Sequence, residues 1–209
     1  MIENKKEFKL ITKKNPKSLL PNALTIFGVC LGLSSIKFAL DTNYAMSVIA
    51  IGFAAILDTL DGRVARLIKG TSKVGKELDS LTDVISFGVA PGFIMYFWAL
   101  NEIGKFGWMF VLIYTVCCAL RLARFNLTTI EENESWKINF FEGVPSPAGA
   151  GLVLLPLILS LSGLVQFENF VILSSITILT TSILMVSKLP TYSLKKILIP
   201  RHLTIFLLL

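Results

Sequence analysis

Asp58-Thr59-Leu60-Asp61-Gly62-Arg63-Val64-Ala65-Arg66, answered by Gly75-Lys76-Glu77-Leu78-Asp79-Ser80-Leu81-Thr82-Asp83, decides how the chain is read. Four carboxylates stand inside or at the ends of two long apolar segments. An ionised side chain at membrane depth costs at least ~2.5 kcal/mol and needs a partner. Asp58 and Asp61 are three residues apart, and Asp79 and Asp83 are four apart. On a helix each pair projects from one face, roughly 4.5 to 6 Å apart along the axis. Two such helices side by side converge four oxygen ligands, the donor set that Mg²⁺ or Mn²⁺ prefers. Gly62, Ala65 and Gly75 remove bulk where helices and a ligand approach closely. Carboxylates at helical spacing more often mark a solvated face, but here apolar runs flank them.

Those runs set the fold class. The 209 residues are 54% hydrophobic and 16% charged, too apolar for an ordinary soluble domain. The pattern predicts an all-α, polytopic transmembrane bundle of about six spans, near 20–40, 45–67, 78–100, 106–126, 148–165 and 168–187. Pro91-Gly92 should kink the third span. Residues 1–18 carry six lysines with interleaved Phe8, Leu10 and Ile11, the pattern of an interfacial amphipathic helix. Residues 19–200 form one transmembrane domain. The tail, 201–209, is too short to cross a bilayer and reads as interfacial or as a piece of a further span. Cys30, Cys117 and Cys118 lie in apolar segments without disulfide spacing and are expected to be buried, reduced thiols.

Charge orients the bundle. With the amino terminus in the cytoplasm, 18 of the 20 Lys and Arg fall on that side, and only Lys37 and Lys105 on the other. Every acidic motif then sits at the cytoplasmic ends of the spans. The basic balance is accounted for by topology, and no nucleic-acid partner is expected.

The stretch reads D-x-x-D-G-x-x-A-R-x8-G-x-x-x-D-x-x-x-D, eight fixed positions over 26 residues. It resembles the signature of the CDP-alcohol phosphotransferase family. That resemblance implies divalent metal, a pair of Mg²⁺ or Mn²⁺ ions, on Asp58, Asp61 and Asp79. Asp83 completes the shell or serves as the general base. It further implies that Gly62, Ala65 and Gly75 line a cytidine pocket, which the opening Pro21-Asn22-Ala23-Leu24-Thr25 adjoins through Asn22 and Thr25. Arg66 fits a place beside phosphate, or an anchor at a span's inner end. Family members are dimers, so a homodimer is expected in a bacterial or archaeal type of inner or plasma membrane. The implied reaction is displacement of CMP from a CDP-linked lipid by an alcohol, with Asp83 as a nucleophile left open.

Arg121 and Arg124 share a face at the inner end of the fourth span and, with Asn126, suit a carboxylate or phosphate. Both also fit a topology anchor. The combination of R-L-A-R-F-N, F-E-G-V-P-S-P-A and K-L-P-T-Y-S-L-K-K is similar to the membrane-bound phosphatidylserine synthases of that family. This similarity implies CDP-diacylglycerol and L-serine as substrates. The Arg pair would meet serine's carboxylate, and Glu142 or a backbone carbonyl its ammonium. Glycerol 3-phosphate or an inositol compound is the alternative acceptor. A divalent-cation transporter is the alternative class, although such sites lie near mid-membrane between inverted repeats, and no repeat is visible.

Overall fold

The computed structural model describes residues 19–68, 73–131, 140–163, 169–187 and 190–192. The basic segment 1–18 and the apolar tail 201–209 lie outside the described residues. In chain order the elements are α1 (Leu19–Leu40), α2 (Tyr44–Leu67), α3 (Lys73–Asp83), a π-helical segment (Val84–Val89), α4 (Ala90–Trp98), a 3₁₀ turn (Leu100–Ile103), α5 (Lys105–Glu131), β1 (Phe140–Glu142), α6 (Ser146–Ser162), α7 (Phe170–Val186) and β2 (Pro190–Tyr192).

Among the described residues, four helical stretches are long and apolar enough to cross a membrane: Leu19–Leu40, Tyr44–Leu67, Val74–Trp98 and Lys105–Asn126. The expected fifth and sixth spans are apolar helices of 17 residues each. At 1.5 Å per residue these are ~25 Å long, at the lower limit for a span. The chain is therefore a helical membrane protein. Large apolar side chains such as Phe27, Leu33, Phe53, Leu112 and Ile183 face outward, as a lipid-facing surface requires. Cys30 faces outward too, against the expectation of burial, while Cys118 is buried. An apolar segment alone does not say which of its faces packs inward.

Small residues bring the helices together. Gly28 and Gly32, one turn apart on α1, lie against Thr82 and Ser86. A Cβ at Gly32 would stand 2.5 Å from the Ser86 hydroxyl and 3.0 Å from its Cα, so only glycine permits this approach. The Ser86 hydroxyl donates to the Gly28 carbonyl at 3.3 Å. One turn further along α1, the Ser47 hydroxyl of α2 donates to the Ser35 carbonyl at 2.6 Å. Ser35, Ser47 and Ser86 are all fully buried. Polar groups that find partners across helices hold a bundle whose surface is as apolar as the lipid.

The third span is not simply kinked at proline. It widens into the π segment immediately after Asp83, and α-helix resumes at Ala90. Pro91 has no N–H to offer the Phe87 carbonyl four residues back. The Tyr114 hydroxyl of α5 donates to that carbonyl instead, at 2.6 Å. Tyr114 and Phe87 are fully buried with Ile94, Met95, Leu154 and Ile178 in the core.

The bundle is all-α as expected, with one short addition: a two-stranded antiparallel ribbon pairs Phe140 with Tyr192, Phe141 with Thr191 and Glu142 with Pro190. Three-residue strands carry too little periodicity to be seen in a sequence. Gly143 follows β1 with φ +76°, and a Cβ there would stand 2.6 Å from the Met185 carbonyl. The loop thus lies directly on the end of α7, and the Val144 N–H donates to the Leu184 carbonyl. This seat fixes where α6 begins.

Candidate active site

Asp58 and Asp61 project from the later half of α2, and Asp79 and Asp83 from the second half of α3. One carboxylate oxygen from each of Asp58, Asp61 and Asp79 lies within 4.8 Å of the other two. Asp83 stands beside this trio, its carboxyl in hydrogen-bonding contact with that of Asp58. Two carboxyls in contact need a proton or a cation between them. Asp83 Oδ1 is buried with no hydrogen-bond partner among the described residues. Hard oxygen donors from four carboxylates, one with an orphaned oxygen, fit a hard divalent cation. The chemistry of the donor set thus agrees with Mg²⁺ or Mn²⁺ and offers no soft ligand.

The surrounding helices hold these carboxylates in place. Asp61 is only 4% exposed, and the Thr25 hydroxyl of α1 donates to its Oδ2 at 2.6 Å. That hydroxyl also lies 3.0 Å from the Pro21 carbonyl, so its single proton is shared or alternates. From α5, Arg121 faces Asp83 with an attractive charge. Its Nη1 donates to the Ser146 hydroxyl at 2.7 Å, while its Nε is buried without a hydrogen-bond partner among the described residues.

The other expected site residues take varied positions. Asn22 is half-buried in the first turn of α1. Gly62 opens on space, with nothing within 4 Å of where a Cβ would be. Ala65 is half-buried one turn on, and Gly75 is half-buried in the first turn of α3. Arg66 is exposed and its Nε folds back onto the Gly62 carbonyl at 3.0 Å. Arg124 does not share the surroundings of Arg121: its Nη1 donates to the carbonyl of Val186, the last residue of α7, at 2.9 Å. Asn126 Nδ2 donates to the Ser80 hydroxyl at 2.9 Å, linking α5 to α3. The side chain of Glu142 lies outside the described residues.

Three residues near the site were not singled out from the sequence. Ser80 lies within the acidic motif itself and connects Asn126 to the Lys76 carbonyl. Ser146 and Cys118 adjoin Arg121. Ser146 opens α6 between Pro145 and Pro147, and that P-S-P signal was on view, but only the tertiary contact gives it meaning.

A family model described as CDP-alcohol phosphatidyltransferase matches residues 18–191. The chain belongs to the CDP-alcohol phosphatidyltransferase family. The matched region holds every acidic residue of the site and all seven helices. This family uses divalent metal, in keeping with the aspartate cluster. Similar proteins include one from Mycobacterium leprae (strain TN), 39% identical over 185 residues, covering 88% of this chain and 61% of that protein. Another, from Helicobacter pylori (strain ATCC 700392 / 26695), is 44% identical over 145 residues, covering 69% of this chain and 60% of its own length. A third, from Bacillus subtilis (strain 168), is 35% identical over 178 residues, covering 85% of this chain and 92% of its own length. All three are named CDP-diacylglycerol–serine O-phosphatidyltransferase. The chain spans about three fifths of the length of the first two.

Proposed function

We propose that this CDP-alcohol phosphatidyltransferase moves the phosphatidyl group of CDP-diacylglycerol onto the hydroxyl of L-serine, forming phosphatidylserine and releasing CMP. The observation that carries the proposal is the gathering of Asp58, Asp61 and Asp79 within 4.8 Å, beside Asp83 and facing Arg121. The names of the three relatives support serine as acceptor.

In this reading the serine hydroxyl oxygen bonds to the phosphorus that carries the diacylglycerol. The bond from that phosphorus to the oxygen of CMP breaks, and CMP departs with the electron pair. The serine hydroxyl proton passes to Asp83, the carboxylate set between the cluster and Arg121. Asp58, Asp61 and Asp79, with Asp83 adjoining, would hold one or two Mg²⁺ or Mn²⁺ ions, which neutralise charge on the diphosphate when bound. Thr25 keeps Asp61 oriented for that task. The open face at Gly62, together with Ala65, Gly75, Asn22 and Arg66, receives the cytidine diphosphate. Arg121 takes the serine carboxylate, where a planar guanidinium matches two oxygens. Arg124 and Asn126 brace the wall behind it through Val186 and Ser80. The acidic ends of the spans face the cytoplasm, on the Lys and Arg distribution. A homodimer in a bacterial or archaeal type of plasma membrane completes the assignment.

The test is CMP release by purified protein with CDP-diacylglycerol, Mg²⁺ or Mn²⁺ and a panel of alcohols. Serine should exceed glycerol 3-phosphate and inositol by at least tenfold. Equal or greater release with either rival would replace serine as the acceptor.

A further inference from the structure

Ser146 is the first residue of α6 and is fully buried. Its hydroxyl oxygen accepts Arg121 Nη1 at 2.7 Å. The same hydroxyl is in hydrogen-bonding contact with the Cys118 thiol. Cys118, one turn before Arg121 on α5, is fully buried and abuts the π segment: a Cβ at Gly88 would stand 3.1 Å from its Sγ. Ser146 therefore ties Arg121 to a packed layer spanning three elements. Its own backbone has little freedom, because Pro145 and Pro147 flank it and the preceding Gly143-Val144 loop is seated on the end of α7.

A guanidinium has five N–H donors in a fixed plane. Ser146 occupies one with a neutral acceptor, and Nε has no hydrogen-bond partner among the described residues. Holding one Nη, with the guanidinium carbon also 5.7 Å from the centre of the Phe125 ring, restricts the plane and so aims the remaining donors. A hydroxyl does this without neutralising the charge, whereas a carboxylate in its place would cancel it. The amino end of α6, carrying its own partial positive charge, adjoins the same guanidinium. Two positive features so placed favour anions beside them: Asp83 faces the guanidinium as one, and the donors that Ser146 does not take can meet a second.

We propose that Ser146 is a positioning residue: it holds the Arg121 guanidinium in the orientation that receives the carboxylate of the amino-acid acceptor. This rests on the serine transfer proposed above. Ser146 does not touch the reacting atoms, so its removal acts on acceptor binding through Arg121.

The test compares wild type, Ser146→Ala, Ser146→Cys, Arg121→Lys and the Ser146→Ala/Arg121→Lys double variant in full-length protein. KM for serine, KM for CDP-diacylglycerol and kcat are measured by CMP release. Ser146→Ala should raise KM for serine about tenfold, the loss expected for a hydrogen bond to a charged group. KM for CDP-diacylglycerol should move less than twofold. Ser146→Cys keeps the volume with a poor acceptor and should shift KM for serine the same way. In the Arg121→Lys background, Ser146→Ala should add less than twofold, because the group it orients is gone. Unchanged serine KM in both Ser146 variants, or a full tenfold cost on top of Arg121→Lys, would overturn the proposal. Should wild type prefer another alcohol, the serine reading falls. The same cycle is then read with that alcohol, and a selective, non-additive effect on an acceptor lacking a carboxylate would overturn the carboxylate role. Release of CMP with no alcohol would remove both proposals.

Discussion

Thr25 of α1 donates its hydroxyl to Asp61 of α2 at 2.6 Å, across an interface that buries both residues. The contact joins the opening turns of the first span to the aspartate-bearing end of the second. A carboxylate this buried is costly unless hydrogen-bonded or paired, and Thr25 provides part of that compensation while fixing which oxygen faces the cluster.

Thr25→Val keeps the shape of the side chain and removes the hydroxyl. Affinity for Mn²⁺ should fall ~10–100-fold, the usual cost of losing a partner that orients a metal ligand. Electron paramagnetic resonance titration with Mn²⁺ reads this directly. An unchanged Mn²⁺ affinity would show that Asp61 keeps its orientation without Thr25.

Asp83→Asn removes the proposed proton acceptor but leaves Asp58, Asp61 and Asp79. Turnover should fall by ~10²–10⁴-fold, the range for loss of a general base, while CDP-diacylglycerol binding stays within a few-fold of wild type. Binding measured by isothermal titration checks the second half. Loss of binding together with turnover would place Asp83 among the metal ligands instead. Chelation with EDTA should abolish turnover in wild type, and added Mn²⁺ or Mg²⁺ should restore it.

Two glycines should part company. Gly32→Ala drives a methyl to within 2.5 Å of the Ser86 hydroxyl and 3.0 Å of its Cα, and overpacking of this kind costs ~1–3 kcal/mol. Gly62→Ala meets nothing within 4 Å. Thermal unfolding in detergent should show a lowered Tm for Gly32→Ala and an unchanged one for Gly62→Ala. KM for CDP-diacylglycerol should rise only for the latter, since its methyl enters the proposed nucleotide pocket.

Arg124→Ala should behave as a stability variant. Its guanidinium satisfies the Val186 carbonyl at the end of α7, and leaving a half-buried carbonyl unpaired costs ~1–3 kcal/mol. Tm should fall while KM for serine changes less than twofold. A rise in serine KM with no change in Tm would return Arg124 to the acceptor site beside Arg121.

Much of the acidic cluster was legible because its spacing is local. Positions 58 and 61, and 79 and 83, share helix faces by the 3.6-residue period alone. The helices were legible from apolar runs of span length. The roles of the arginines were not. Arg121 and Arg124 are one turn apart and alike in sequence, yet one meets Ser146 and Asp83 and the other the end of α7. Their partners are 25 and 62 residues away, and a local period says nothing about such separations. The π segment after Asp83 was equally hidden, and so was the Tyr114 hydroxyl that satisfies a carbonyl Pro91 cannot, 27 residues away.

Sequence by itself determined a helical membrane chain bearing two acid pairs at the ends of apolar segments, since residue spacing and hydropathy act within one helix. Only the tertiary structure decided that the pairs meet, that Thr25 serves Asp61, and that Ser146 and not Arg124 accompanies Arg121. Those relations arise where separate helices pack, and packing is set by which small and polar faces can approach each other, a property of the assembled bundle and not of any one segment.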